Sequence, residues 1–141
     1  MCIRDRIISN NNVRIGNGSF IGPNTIINNG SVIGDASIIN SGAIVEHDNI
    51  YGNAIHLASG VKTGGRVRIG DYSFIGVGSS ILPDIKIGSG VLIGAGSTLT
   101  KNVKDQITMI GYSARQGLFS CLLYTSPSPR DVEESRMPSS A

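Results

Sequence analysis

At 141 residues the chain has room for one domain and not for two ordinary ones. Nineteen glycines, no Trp and only 5% aromatic residues argue against a layered core built on large side chains. Twelve Lys and Arg against ten Asp and Glu leave a formal charge of +2, too slight a bias for a nucleic-acid partner. No apolar run approaches the roughly 20 residues of a membrane span, and no signal peptide is visible.

In chain order, residues 1–6, "MCIRDR", come first and share no pattern with the rest of the chain. The same holds for 121–141, "CLLYTSPSPRDVEESRMPSSA". Both ends resemble translated sequencing-adapter read-through and are set aside from the fold argument. A native disordered tail rich in Pro, Ser and charge is the other reading of 121–141. Cys2 and Cys121 both fall in these ends, so cysteine content says nothing about redox compartment.

From Ile15 onward a six-residue period takes over. Every sixth residue reads Ile15, Ile21, Ile27, Ile33, Ile39, Val45, Tyr51, Leu57, Thr63, Ile69, Ile75, Ile81, Ile87, Ile93 and Leu99. All but Tyr51 and Thr63 are aliphatic, and no insertion shifts the frame. Two residues before each aliphatic stands a small or β-branched side chain, as at Val13, Ser19, Thr25 and Ser31. Residues i−2 and i share one side of a strand, so both point inward. A Gly or Asn usually comes next after the aliphatic, and its tolerance of positive φ suits it to the bend. A period of six is the signature of a parallel β-helix. Three hexapeptides close a triangular coil of 18 residues, and coils stack about 4.8 Å apart. The chain is therefore expected to be all-β. About five coils of a single-stranded parallel β-helix should span 7–104, with 105–120 as a tail and no helical segment.

The pattern fails in one place. Tyr51 and Thr63 interrupt the ladder, Glu46 replaces the usual Gly or Asn, and both histidines of the chain, His47 and His56, lie in the same stretch. Breaks in a local rule fall disproportionately at functional sites; tolerated corner variants and surface decoration are the alternative. Residues 18 apart stack, so His47, Gly65, Pro83 and Lys101 share one corner column, and Ser59, Val77 and Ala95 share another. His56 lies half a coil beyond His47. One chain cannot easily bring the two imidazoles together, whereas neighbouring prisms of a trimer could.

The segment "EHDNIYGNAIHLASGVKTGGRVRIG" with "FIGVGSSILPDIKIG" and "LIGAGSTLTKNV" resembles the hexapeptide-repeat acetyltransferases, in their sialic acid O-acetyltransferase and UDP-amino-sugar N-acetyltransferase branch. The resemblance covers about 13–115 and implies a left-handed β-helix, against the general preference for right-handed crossovers. It implies acetyl transfer from acetyl-CoA to an amine or hydroxyl of a sugar or sugar nucleotide, by a cytoplasmic homotrimer with no metal. In this family the His of E-H-[DE] is the general base, a role that falls on His47 with Asp48 as its acidic partner. The second His contacts acetyl-CoA and corresponds to His56. The Gly nine residues later, here Gly65, gives its N–H to the acyl oxygen, and the pantetheine contacts fall on Val77 and Ala95. Two departures stand out. Relatives in this branch carry an N-terminal α/β domain that binds the sugar nucleotide, so the chain is expected to be a fragment. Their closing G-N-P-A-[RK] segment reads "GYSAR" at 111–115.

The chemistry accounts for the residue types. A histidine side chain, titrating near pH 6.5, can take the acceptor's proton at neutral pH, and a carboxylate stabilises the imidazolium formed. A backbone amide one coil away is placed to receive the oxyanion. Lys101, three coils from His47 and roughly 14 Å along the axis, suits the CoA phosphates, as does Lys104; solvated surface charge is the plainer reading of either. No Cys or Ser sits in an activated setting, so transfer should be direct. Two other classes compete. A zinc hydratase needs three His ligands, and the chain has two histidines. A non-catalytic solenoid scaffold needs only the ladder and would not need the E-H-D break.

Overall fold

The computed structural model describes residues 7–8, 12–111 and 114–116. The segments set aside as non-native, 1–6 and 121–141, lie outside the described residues, as does part of the expected tail. The chain winds as a prism with three parallel sheets for faces. Face A stacks β1 (Ile7–Ile8), β4 (Ile26–Ile27), β7 (Ile44–Val45), β10 (Lys62–Thr63), β13 (Ser80–Ile81) and β16 (Thr98–Leu99). Face B stacks β2 (Arg14–Ile15), β5 (Val32–Ile33), β8 (Ile50–Tyr51), β11 (Arg68–Ile69) and β14 (Lys86–Ile87). Face C stacks β3 (Phe20–Ile21), β6 (Ile38–Ile39), β9 (His56–Leu57), β12 (Phe74–Ile75), β15 (Leu92–Ile93) and β17 (Thr108–Ile110), with β18 (Arg115–Gln116) antiparallel at its end.

The period of six sets this geometry. From β3 to β16 each strand is two residues long, its second residue turned inward and buried, as at Ile27, Ile33, Ile39, Leu57 and Ile75. Register between coils is 18 residues, as in Lys62 against Ser80 and Phe74 against Leu92. Every rung therefore meets its own kind above and below. Burial of one such Ile contributes on the order of 1.5–3 kcal/mol, so the ladder supports the prism with Tyr51 as its one aromatic rung among the described residues. Inward serines such as Ser19 and Ser73 are satisfied between coils, whereas Ser97 Oγ is buried with no partner among the described residues. Ser19 Oγ donates to Gly34 O at 2.9 Å and accepts from Ser37 N at 3.0 Å; Ser73 repeats the pattern with Gly88 O and Val91 N.

Three expectations need correction. The glycine after each aliphatic does not carry the left-handed turn. Positive φ falls two residues later, at Gly18, Gly30, Ala36, Asp48 and Arg66 among others. The glycine is required because the next coil passes so close: a Cβ on Gly76 would stand 2.6 Å from Ala95 N, and one on Gly64 would stand 2.6 Å from Pro83 N. Second, Tyr51 and Thr63 are neither corner variants nor gaps. Both occupy inward rungs, and the Tyr51 hydroxyl meets Thr63 Oγ1 at 2.8 Å. A buried phenol needs a polar partner, and Thr63 is the one rung able to supply it. Third, the 18-residue register ends past β16. Ile87 pairs with Val103 and Leu92 with Thr108, each 16 residues on. The corner holding Lys101 is therefore two residues shorter than those below it, and Lys101 is not a further step of the His47–Gly65–Pro83 column.

The ladder predicts where substitutions hurt. Ile75→Ala, at a fully buried rung, should destabilise by about 2–5 kcal/mol in urea unfolding, whereas Ile50→Ala on the outer surface of face B should shift the midpoint little. Equal shifts for the two would contradict the inward assignment.

Candidate functional site

The edge between faces A and B is built by successive corners at 28–31, 46–49, 64–67 and 82–85. At each, one residue in the left-handed region turns the chain: Gly30, Asp48, Arg66 and Asp84. The corners are locked by bonds of one kind: Asp48 N to Asn29 O, Arg66 N to His47 O and Asp84 N to Gly65 O, each 2.9 Å. His47, Gly65 and Pro83 therefore stack as the register expected, one coil apart.

His47 and Asp48 are half exposed, and Nδ1 of the imidazole lies 3.0 Å from Asp48 Oδ2. A carboxylate only accepts, so Nδ1 carries the proton and the Nε2 lone pair is left for chemistry. That Nε2 edge hangs over Gly65. A Cβ there would stand 2.5 Å from Nε2 and 2.7 Å from Cε1, so only glycine leaves the ring its place. The Gly65 N–H has no acceptor among the described residues. At the next edge of the prism, the matching amides of Asn17, Asp35, Asn53 and Ser89 are taken by Asp or Asn oxygens one coil on. The residue above Gly65 is Pro83, whose side chain has no acceptor to offer.

Charges flank this pair. Arg66 closes a two-pronged bond on Asp84, Nε to Oδ1 at 2.6 Å and Nη2 to Oδ2 at 3.0 Å. The Arg66 hydrogen bond holds the Asp84 carboxyl below its usual range, and the same bond raises the guanidinium. Both side chains are exposed and solvent screens the pair. Behind the histidine, Asn28 Nδ2 donates to Glu46 Oε2 at 2.6 Å, so Glu46 is engaged away from the imidazole. The 18-residue register that stacks His47 on Gly65 also stacks Arg66 on Asp84 and Asn28 on Glu46; neither pair was drawn from the sequence, and the side-chain directions that close them are visible only in the structure.

His56 is elsewhere. It stands on the outer surface of β9, on face C, which in a triangular prism lies opposite the A/B edge. Its neighbours across the strands are Ile38 and Phe74, and the Phe74 ring meets it edge-on, 4.9 Å between centroids. Nε2 of His56 is buried without a hydrogen-bond partner among the described residues, and desolvation lowers its pKa. Val77 and Ala95 stack at the C/A corner, bridged by Gly96 N to Val77 O at 2.7 Å. One chain thus gathers His47, Asp48 and Gly65 at one edge, with Lys101 exposed in the shortened corner at the same edge. It leaves His56, Val77 and Ala95 on the other side. Among the described residues no three His, Cys, Asp or Glu side chains gather as a metal site.

The profile of the bacterial transferase hexapeptide family, six repeats, matches residues 12–47 and 56–101, more than half of the chain. The chain belongs to this family. Its prism is accordingly a left-handed β-helix of about five coils. Among solved structures it is similar to the acetyltransferase domain of PglB from Neisseria gonorrhoeae, with 33% identity, TM-score 0.79, and coverage of 80% of this chain and 55% of that one. It is similar also to PerB from Caulobacter crescentus, determined in complex with CoA and GDP-perosamine, with 36% identity, TM-score 0.78, and coverage of 79% and 54%. Among curated proteins it matches the bifunctional protein GlmU of Zymomonas mobilis at 39% identity over 51 residues, 36% of this chain and 11% of that protein. The chain therefore spans about half the length of these structures and about a tenth of the curated relatives. No helix among the described residues is long and apolar enough to cross a membrane.

The site geometry has two measurable consequences. Gly65→Ala meets only the far end of the His47 side chain, so it should leave the unfolding midpoint nearly unchanged while displacing the ring, seen as a shift of the His47 imidazole resonances; unmoved resonances would refute the contact. For His56, the folded pKa lies below the ordinary 6.5, so the folded state takes up fewer protons than the unfolded chain as pH falls below that value. Stability should be full above this range and decline beneath it. Urea unfolding across about pH 7.5 to 5 should show a decline that His56→Phe reduces. An equal decline in both proteins would remove His56 as its source.

Proposed function

We propose that the chain transfers an acetyl group from acetyl-CoA to an amine or hydroxyl of a sugar or sugar nucleotide, with His47 as general base. The observation that carries this reading is the His47–Asp48 pair, its free Nε2 set over Gly65. Nε2 takes the acceptor's proton as the acceptor oxygen or nitrogen attacks the thioester carbonyl. Asp48 steadies the imidazolium through Nδ1, and the Gly65 N–H receives the developing oxyanion. Collapse expels CoA thiolate, which regains the proton. No acyl-enzyme is needed. Support for the substrate class comes from family membership and from PerB, crystallised with CoA and GDP-perosamine.

The same reading needs a second copy of the chain. His56, with its unpartnered Nε2, stands on face C beside an outward column of Phe20, Ile38 and Phe74, each more than a third exposed. A homotrimer would bury this face and bring His56, Val77 and Ala95 of the partner subunit to the His47 edge, forming a groove for acetyl-CoA with Lys101 toward its phosphates. We place the reaction in the cytoplasm, where the thioester donor is made.

Calorimetric titration of acetyl-CoA into the full chain, checked first for trimeric mass, tests the reading. Saturable binding weakened by His56→Ala is expected, as is loss of transfer to amino-sugar acceptors by about 100-fold or more in His47→Ala. An intact trimer that does not bind would remove the acetyl-CoA assignment and leave a β-solenoid scaffold as the reading.

A further inference from the structure

Inside the prism, directly beneath the His47 edge, three buried polar side chains meet. Asn49, Tyr51 and Thr63 are each at most 2% exposed. Thr63 Oγ1 receives Asn49 Nδ2 at 2.9 Å and lies 2.8 Å from the Tyr51 hydroxyl. It also reaches Ile44 O at 3.4 Å. Two donors and one acceptor match what a threonine hydroxyl can satisfy, so Tyr51 donates and Thr63 gives its own proton to the carbonyl. Burial raises the Tyr51 pKa, which keeps the phenol a donor.

Asn49 is the unusual member. Its place in the coil is held by Ser31 one turn earlier and by Val67 and Ile85 in the next two turns. Ser31 Oγ performs two tasks toward the coil above, accepting from Asn49 N at 3.2 Å and donating to the carbonyl of Glu46 at 2.8 Å. Asn49 repeats the first task with Oδ1, accepting from Val67 N at 2.6 Å, but gives its donor to a side chain, Thr63 Oγ1, in place of a backbone carbonyl. Val67 and Thr63 flank the corner that carries Gly65. Asn49 itself comes directly after Asp48. One side chain thus ties both ends of the Gly65 corner to the corner that carries His47 and Asp48.

We propose that Asn49, anchored on Thr63 and Tyr51, is a positioning residue that fixes the His47 imidazole relative to the Gly65 N–H. The proposal rests on the reading of His47 as base and explains the break in the ladder. Two aliphatic rungs are given up because the corners above them must hold a set separation, which directional hydrogen bonds enforce and methyl groups do not. The Glu46 N to Thr63 O bond between these coils is 3.3 Å, against 2.8–3.0 Å for Ile44 N to Val61 O and Ile50 N to Val67 O on either side. The backbone bond is slack where the side-chain strap spans it.

The test is Asn49→Ser, which reproduces the Ser31 arrangement. The substituted side chain keeps an acceptor for Val67 N and, as Ser31 does, turns its donor to a backbone carbonyl of the coil above, so it gives up the tie to Thr63 and Tyr51 alone. We expect kcat for acetyl transfer to fall about tenfold or more, KM for acetyl-CoA to stay within about twofold, and the nuclear Overhauser contact between His47 Hε1 and Gly65 Hα to weaken. Unchanged kcat with an unchanged contact would overturn the proposal. Should Asn49→Ser fold poorly, the pair Tyr51→Phe and Thr63→Val removes both hydroxyls at nearly constant shape and is judged by the same readouts. The contact separates the two readings. A wild-type chain that shows it without transferring acetyl would fail the proposed function, while its response to Asn49→Ser still decides the positioning role.

Discussion

The stacking of one coil on the next, 18 residues later, is the constraint on which the rest depends. Backbone hydrogen bonds repeated along the strands, from Gly16 N to Ile33 O up to Gly94 N to Met109 O, hold neighbouring coils at strand spacing. At that spacing no side chain fits where Gly64 and Gly76 pass beneath Pro83 and Ala95. The inward positions then become columns of identical environment, and Ile, Val and Leu fill them because they pack without polar atoms to satisfy. Repetition along the chain becomes stacking in space.

The same constraint explains how a site can be made from so regular a body. A β-helix offers little concavity, and its outward residues mostly face solvent. What it supplies is order at its edges: a residue at one corner is set against the residue 18 later to within a hydrogen bond. His47 over Gly65 uses this, as do Arg66 on Asp84 and Asn28 on Glu46. An imidazole oriented by its neighbouring carboxylate and set beside a free backbone amide comes from two substitutions in the repeat, not from a specialised loop.

The prism also limits what one chain can do. Faces and edges are fixed by the triangle, so His47 and His56 stand on opposite sides whatever the side chains prefer. In the proposed trimer, the apolar outer column of face C, whose His56 Nε2 is buried without a partner among the described residues, would face the open A/B edge of a neighbour and join the two halves of the proposed site.

By itself the sequence determined the fold class, because a six-residue period with aliphatic rungs has one economical packing solution, and it determined which residues point inward. It also singled out 46–64 as exceptional and set His47 above Gly65 by counting alone. The tertiary structure decided three things that counting could not. It showed the glycines directly after the aliphatic rungs, such as Gly64 and Gly76, to be required for close approach and not for positive φ, which falls two residues later, since only coordinates separate the contact from the bend. It showed that the coil past Leu99 shortens by two residues, which moves Lys101 off its column; a deletion in a loop leaves no mark on periodicity until the next strands pair. And it turned Tyr51 and Thr63 inward onto Asn49, because whether a polar residue on an inward rung is a defect or a bond depends on what lies one coil away, and distance in space is not written in the spacing along the chain.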